Sequence, residues 1–207
     1  MRSLLFLLVF MFGLRMLNAQ INKGSSIINI DGIFTYSYSS DKMTSIIQSG
    51  YKIEPTYEYS FNQNISFGLG INYAINSTLI TNNYTRDQSK YGASLFFKRY
   101  FTISPKVLLY LMPQISINSG SYKYVSATSS FTDAYDFSHN SFSINCGASY
   151  FIKPSIALNL KVNAFQFANV SGPNFSYKSF DFFSLANPEI LMFGIKFLLN
   201  KPTETRK

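Results

Sequence analysis

Few residues of this chain have the types and the spacing that enzyme chemistry requires. His139-Asn140-Ser141 places an imidazole and a hydroxyl two residues apart, the pair that a nucleophilic mechanism would use as base and nucleophile. Such a mechanism also needs a group that orients the base, and the next acidic residue after Ser141 is the distant Asp181. The neighbouring residues are rich in Ser and Asn, as in a solvated loop end. We therefore expect no catalytic residues.

The other reactive residues fit metal chemistry no better. The sequence holds one His and one Cys, Cys146, and these are too few for a zinc site. Asp133, Asp136 and Asp181 are acidic, but their spacing matches no calcium-binding loop of known ligand order. We interpret Cys146 as a small apolar residue on the outer face of a strand. The sequence thus predicts neither a metal nor a cofactor.

The elements that carry these residues are predicted to be β-strands, because apolar and polar residues alternate along most of the chain. In segment 65–76 every second residue is apolar, from Ile65 through Leu69 to Ile75, and the residues between them are small or polar. Successive side chains of a strand point to opposite faces, so this pattern indicates a strand with one apolar face. Eight segments share the pattern: 27–38, 48–61, 65–76, 91–101, 107–117, 141–152, 156–167 and 191–199.

The connections between these segments alternate in length. Residues 61–64, 104–106 and 153–155 form tight turns. The other connections are longer and polar: 39–45, 81–90, 126–140 and 171–188. Short turns at one rim and long loops at the other are typical of outer-membrane barrels, and strands of about 10–12 residues suit a tilted membrane crossing. The predicted fold is all-β, an eight-stranded antiparallel up-and-down transmembrane β-barrel.

Composition and the amino terminus agree with an exported membrane barrel. Charged residues make up 14% of the 207 residues and aromatic residues 17%, whereas an average soluble domain has roughly 25% charged residues. No apolar run reaches the ~18–20 residues of a membrane helix. Residues 3–14 are apolar after a basic start, and Leu17-Asn18-Ala19 precedes Gln20 like a signal cleavage site. The predicted division is a signal peptide at 1–19, cleaved between Ala19 and Gln20, a barrel at 20–200 and a polar periplasmic tail at 201–207.

Alternation alone does not say which face is inside, since a periplasmic lipocalin-type barrel would turn its apolar face inward. The polar face holds mainly Gly, Ser, Asn and Ala, which suits a crowded lumen, and its charges have both signs. Aromatic residues recur near the predicted strand ends, as a belt at the membrane interface requires: Tyr36, Tyr38, Tyr59, Phe61, Tyr91, Tyr100, Phe101 and Tyr150. We therefore predict a polar lumen network of Asp31, Lys52, Glu54, Glu58, Lys98, Lys161 and Lys196.

Short motifs resemble a known family. Pro55 and Tyr57 precede a tight turn with Asn62, and a Gly-x-Gly-x-x-Tyr strand follows from Gly68 to Tyr73. This segment resembles the second hairpin of the small OmpA/OmpX-like outer-membrane β-barrel proteins. The closing segment 193–197 resembles the terminal signal that the barrel-assembly machinery recognises, although two leucines and a polar tail follow it here. The resemblance implies a porin-like barrel in the outer membrane of a Gram-negative cell envelope.

The resemblance leaves three functions open. The first is a structural or surface-interaction protein that acts through long extracellular loops, which hold many aromatic residues: Phe131, Tyr135, Phe137, Phe175, Tyr177, Phe180, Phe182 and Phe183. The second is a narrow channel or an accessory component of an export system. The third is a lipid-modifying enzyme, because His139-Asn140-Ser141 resembles the His-x-Ser of the outer-membrane lipid A deacylases. Those enzymes add a Glu on a neighbouring strand, whereas the next acidic residue after Ser141 here is the distant Asp181. The predicted register also turns Ser141 into the lumen. We expect the first function, because side chains fill the lumen of an eight-stranded barrel.

The formal net charge of +8 suggests acidic partners, but its distribution does not. Basic and acidic residues balance in the long loops, and the excess lies near the short turns and the termini, for example at Arg99, Lys106 and Lys153. Nucleic acid lies on the wrong side of two membranes for such a surface. The expected partners are outer-membrane lipids, the barrel-assembly machinery during biogenesis, and an extracellular or envelope protein; no nucleic acid is expected.

Overall fold

The computed structural model describes residues 21–40, 45–80, 84–126, 132–182 and 191–199. These residues form nine β-strands: β1 (Ser26–Ser40), β2 (Ser45–Asn62), β3 (Ile65–Ile80), β4 (Tyr84–Ser104), β5 (Val107–Ser126), β6 (Thr132–Lys153), β7 (Ile156–Gly172), β8 (Phe175–Phe182) and β9 (Leu191–Leu198). Within this part of the chain, no helix is long and apolar enough to cross a membrane. The predicted signal peptide, its cleavage site at Ala19 and Gln20, and the tail 201–207 lie outside the described residues.

The strands form a closed antiparallel ring. Each of β1 to β7 pairs with the next strand in sequence, and β9 closes the ring by pairing with β1 and β7. The pairing of β9 with β7 covers residues 156–162 of β7, and β8 pairs with residues 165–172 of the same strand. Strands β8 and β9 therefore lie one after the other along one edge of β7 and share the eighth position. The predicted eight-stranded up-and-down barrel is confirmed.

The strands extend further than the alternation predicted. Strands β4, β5 and β6 contain 21, 20 and 22 residues, so the predicted loops at 81–90 and 126–140 consist largely of strand. At ~3.3 Å per residue and a tilt of ~45°, about 20 residues rise roughly 47 Å, well beyond the ~30 Å hydrocarbon core. The ends of these strands opposite the tight turns, which the predicted topology places outside the cell, therefore extend beyond the membrane. Water meets their outer face there, so no apolar face revealed them in the sequence.

The outer face carries the apolar side chains. On β5, Leu109, Ile115 and Ile117 are exposed, and Ser119, Ser121 and Lys123 follow them on the same face. The predicted belt residues that lie exposed on this surface are Tyr36, Tyr59, Phe61, Tyr91 and Tyr150; the side chain of Tyr38 is outside the described part. The belt prediction was wrong for Tyr100, which is buried in the lumen because it lies two residues from Lys98 on the inward face of β4.

An apolar cluster fills the periplasmic end of the lumen. Its members are Ile21, Ile27, Phe96, Tyr100, Leu108, Tyr110, Met112, Phe151, Ala157 and Leu198. The amino-terminal segment folds against this end: the Gly24 amide donates to the Ser60 carbonyl (2.8 Å), and the Ser60 amide donates to the Ser25 carbonyl (2.9 Å). Gly24 has a φ of 81°, in the left-handed region that glycine adopts without strain. Side chains therefore close the barrel at its base.

Candidate functional site in the barrel interior

Strand alternation brings charged side chains into the barrel interior. Lys52, Glu54 and Glu58 lie on the inward face of β2, because an even number of positions separates each from the next. Strands β1, β4, β7 and β9 supply the other four residues of the predicted network: Asp31, Lys98, Lys161 and Lys196. All seven take part in ion pairs, which fall into two clusters at different heights in the barrel.

The lower cluster is centred on Glu58, just above the apolar base. Glu58 Oε1 lies 3.0 Å from Lys98 Nζ and 3.9 Å from Lys196 Nζ. Its other oxygen accepts hydrogen bonds from Tyr100 Oη and Ser66 Oγ, both at 2.7 Å. Lys196 also donates to Tyr100 Oη at 3.1 Å. All these side chains are fully or almost fully buried, so the lower cluster meets its hydrogen-bonding needs within the protein.

The upper cluster is centred on Lys161, nearer the cell exterior. Lys161 Nζ lies 2.9 Å from Glu54 Oε2 and 3.4 Å from Asp31 Oδ2. Glu54 also accepts a hydrogen bond from Gln114 (2.7 Å), and Lys52 Nζ lies 3.9 Å from it. The Lys52 side chain is 20% exposed, so water reaches this side of the cluster. The upper cluster thus lies between the sealed lower lumen and the water-accessible space above it.

Asn159 and Ser149 connect the two clusters: Ser149 Oγ accepts a hydrogen bond from Lys196 Nζ and donates one to Asn159 Oδ1, both at 3.0 Å. Asn159 Nδ2 donates to Asp31 Oδ1 at 2.8 Å and to Tyr110 Oη at 3.2 Å, and Tyr110 Oη donates to the Leu160 carbonyl at 3.1 Å. The Tyr110 ring lies directly over Gly147, where a Cβ atom would overlap the ring. Glycine at this position therefore makes the space in which the tyrosine reaches across the lumen.

Two polar cavities lie above the upper cluster. The smaller, of about 50 Å³, is lined by Gln114, Asn118, Ser141 and Asn163 among others. The larger, of about 220 Å³, we call the outer chamber. It is lined by Asn76, Gln88, Lys90, Tyr122, Phe137, His139, Gln166, Val170, Tyr177, Ser179 and Asp181. Lys90, His139 and Gln166 border both cavities, which are therefore adjacent. The fold thus places Asp181 beside the same chamber as His139, although 42 residues separate them in sequence.

An aromatic cluster lies at the extracellular end of the interior. Tyr122 of β5 is at its centre, with ring centroids 4.5 Å from Phe137, 5.7 Å from Tyr135 and 6.3 Å from Phe175. Tyr135 also stacks on Tyr124 at 5.7 Å, and Phe175 on Tyr177 at 6.1 Å. Partial burial, and then the neighbouring Tyr177, raise the pKa of the Tyr122 phenol. Through these contacts the β5–β6 hairpin packs against the β7–β8 hairpin.

The predicted loop aromatics belong to strands wherever the structure describes them. Tyr135 and Phe137 lie on β6, and Phe175, Tyr177, Phe180 and Phe182 lie on β8; Phe131 and Phe183 are outside the described residues. Phe180 and Phe182 are exposed, whereas Phe137 is buried. Sequence reasoning missed Tyr122 and Tyr124 because it ended the fifth strand at residue 117. In the described part of the chain, no group of His, Cys, Asp and Glu is arranged to hold a metal ion.

Comparisons with known proteins identify one matching family and several similar solved structures. The family of the outer membrane protein beta-barrel domain matches residues 4–182. Among solved structures, neisserial surface protein A is 15% identical over 84% of this chain and 97% of that chain, with a TM-score of 0.49. The attachment invasion locus protein Ail of Yersinia pestis is 16% identical over 85% and 99%, with a TM-score of 0.44. The amino-terminal barrel domain of Pseudomonas aeruginosa OprF is 11% identical over 86% and 99%, with a TM-score of 0.38. No curated protein matches the sequence significantly.

Proposed function

The chain belongs to the outer membrane protein β-barrel domain family, whose place is the bacterial outer membrane, and from this premise we propose that it is a surface-interaction protein. Its partner-binding part is the outer platform, which we define as residues 119–125 of β5, 132–138 of β6 and 175–178 of β8. These residues follow the lipid-facing apolar band and reach into the extracellular space. The proposed partner is an extracellular or envelope protein.

The observation that carries this proposal is the aromatic cluster inside the platform. Strand extensions that only completed a barrel would have no need of six mutually packed aromatic rings above the membrane. Aromatic pairs contribute about 0.5–1.5 kcal/mol each beyond their buried area, so the cluster holds the two hairpins in one arrangement. A rigid platform lowers the conformational entropy lost on binding, and Lys123, Asp136 and Lys178 are exposed around it.

The test is attachment of cells that display the protein. Replacing residues 120–137 by a two-residue Asn-Gly turn shortens the β5–β6 hairpin to the membrane surface. Cells with this variant are expected to lose attachment to surfaces coated with serum proteins or mucin. A matched control replaces the periplasmic turn residues Pro105 and Lys106 with Asn-Gly and is expected to keep attachment. Equal attachment by the shortened variant, at equal surface expression, would contradict the proposal.

The channel alternative is tested by conductance. We propose that the protein conducts no ions, because Ile21, Leu108, Phe151 and Leu198 pack across its base and Glu58 is sealed above them. Folded protein in a planar bilayer is expected to give no steady current steps. Reproducible steps would instead assign it to permeation.

We further propose that the protein has no enzyme activity and that residues 1–19 are cleaved off as a signal peptide. Its other proposed partners are outer-membrane lipids and the barrel-assembly machinery. His139 and Ser141 border a cavity inside the barrel, where acyl chains of the bilayer do not reach them. Mass spectrometry of lipid A from expressing cells is expected to show unchanged acylation. Amino-terminal sequencing of the mature protein is expected to begin at Gln20.

A further inference from the structure

The smaller polar cavity above the upper cluster is lined by two acceptors whose hydrogen-bonding needs the described residues do not meet. Asn118 is 5% exposed, and its amide nitrogen donates to the His139 carbonyl at 2.9 Å. Its Oδ1 has no hydrogen-bond partner among the described residues. Asn163 is only partly buried, but its Oδ1 is buried and has no partner in the described part of the chain, and its nitrogen donates to Gln166 Oε1 at 2.7 Å. A buried acceptor without a hydrogen bond lowers the stability of the folded protein, so a donor from outside the protein would stabilise each of these oxygens.

The charges around the outer chamber restrict which donor fits. Lys90 and Asp181 both border it, so a charged ligand meets a like charge as well as an opposite one. A cation also faces Lys52 and Lys161, which line the adjoining cavity. An unprotonated anion offers no donor to the two asparagine oxygens. A neutral molecule with several hydroxyl groups both donates and accepts, and therefore suits the asparagine oxygens as well as the amide groups of Asn76, Gln88 and Gln166.

The chamber also has an apolar side. Tyr122, Phe137 and Tyr177 border it, and their rings belong to the aromatic cluster that fixes their positions. A sugar ring has a face of C–H groups that packs against an aromatic ring and an edge of hydroxyl groups that pairs with amides. At ~30 Å³ for each water of the liquid, a cavity of about 220 Å³ holds the equivalent of roughly seven waters, which is space for one sugar ring.

We infer that the outer chamber is a binding site for a single neutral sugar ring. The ring enters from the extracellular side, because the ion-pair clusters and the apolar base close the other end. The amides of Gln88 and Gln166 orient the sugar, and the aromatic rings cover its C–H face. Asn118 and Asn163 line the adjoining smaller cavity, and they accept hydrogen bonds from a hydroxyl group of the sugar that reaches across the shared border. The sugar is a free monosaccharide or the terminal residue of a glycan. The chamber shares Tyr122, Phe137 and Tyr177 with the outer platform, whereas the exposed platform residues Lys123, Asp136 and Lys178 do not line it.

Saturation-transfer NMR on the full chain in detergent micelles tests the inference. The probes are D-glucose, D-galactose and N-acetyl-D-glucosamine, with acetate and tetramethylammonium as charged controls. We expect transfer to at least one sugar and none to the two ions. The same measurement with lactose separates the two sources: transfer to its terminal galactose indicates capture of a glycan end, and transfer to monosaccharides only indicates a free sugar.

Two variants on β8 supply the matched comparison. Ser179 borders the chamber, so Ser179→Phe fills it, whereas Ser176 is exposed on the opposite face of the same strand. Both variants are first shown to be folded by their heat-dependent gel mobility. Ser179→Phe is expected to weaken sugar binding at least about tenfold, and Ser176→Phe to leave it unchanged. Absence of transfer to all three sugars, or transfer that persists in Ser179→Phe, would overturn the inference and leave the chamber filled by water only.

Discussion

The two ends of the barrel interior use the same polar residue types for different purposes. Around Glu58, two lysines, a tyrosine and a serine meet one carboxylate, and apolar side chains cover them from below. Around Lys161 the ion pairs are similarly short, but one side is hydrated and two buried amide oxygens above them lack a partner among the described residues. The lower end is a structural plug, because both oxygens of its central carboxylate are paired and packed side chains cover them, although the nearby buried Ser60 Oγ has no partner among the described residues. Buried amide oxygens without a hydrogen-bond partner beside a cavity indicate instead a site that a ligand can occupy.

Removing the central carboxylate of the lower cluster is the strongest test of this contrast. Glu58→Gln leaves Lys98 and Lys196 buried without a counter-charge, and we expect a loss of about 3–5 kcal/mol in the free energy of unfolding. Urea unfolding in lipid vesicles measures it. Adding Lys98→Met to Glu58→Gln removes one of the stranded charges and is expected to restore part of the loss. A double variant no more stable than Glu58→Gln would mean that the pairing is not what stabilises this end.

Breaking the upper cluster is expected to cost less. Lys161→Met removes the cation between Glu54 and Asp31, but Gln114, Asn29 and Asn159 still donate to these carboxylates. We expect a loss of about 2–3 kcal/mol in the same unfolding measurement. A loss as large as that of Glu58→Gln would erase the distinction between a sealed and a hydrated cluster.

The aromatic cluster sets the stability of the outer platform alone. Tyr122→Ala removes the ring at its centre, and amide hydrogen exchange is expected to report local opening of residues 119–125 and 132–138 that is easier by about 1–2 kcal/mol. Exchange in the membrane-spanning part of the strands is expected to stay unchanged. Tyr150→Ala, an exposed aromatic at the opposite end of β6, is the control and should not affect the platform.

The smallest effect is expected at Lys52. Its ammonium lies 3.9 Å from Glu54, and its side chain is partly exposed, so solvent screens the interaction. Lys52→Met should therefore change the free energy of unfolding by less than about 1 kcal/mol. A loss equal to that of Lys161→Met would place Lys52 within the sealed part of the lumen after all.

The sequence was sufficient for the barrel and for the inward position of its charges, because one period-two pattern determines both. It was insufficient where that pattern changes. In β8 the aromatic residues Phe175 and Tyr177 face the interior, whereas Phe180 and Phe182 face outward, so the apolar side switches within eight residues and no alternation was visible. Tyr100 was misplaced for a related reason: tyrosine suits both a membrane interface and a buried hydrogen bond, and only its spacing from Lys98 distinguishes the two.

The pairing of segment 191–198 with β1 has a consequence for how the protein is made. This contact joins the first and the last strand, so the two strands can pair only after the whole chain has been exported. Pairing between segments so distant in sequence is intrinsically slow. Lys196 arrives with the same segment and is the last charge added to the cluster around Glu58. A chain that stops before residue 191 keeps an open sheet edge and also lacks a lysine that its buried glutamate needs. Only the complete polypeptide can therefore both pair the edge of β1 and bring Lys196 to Glu58.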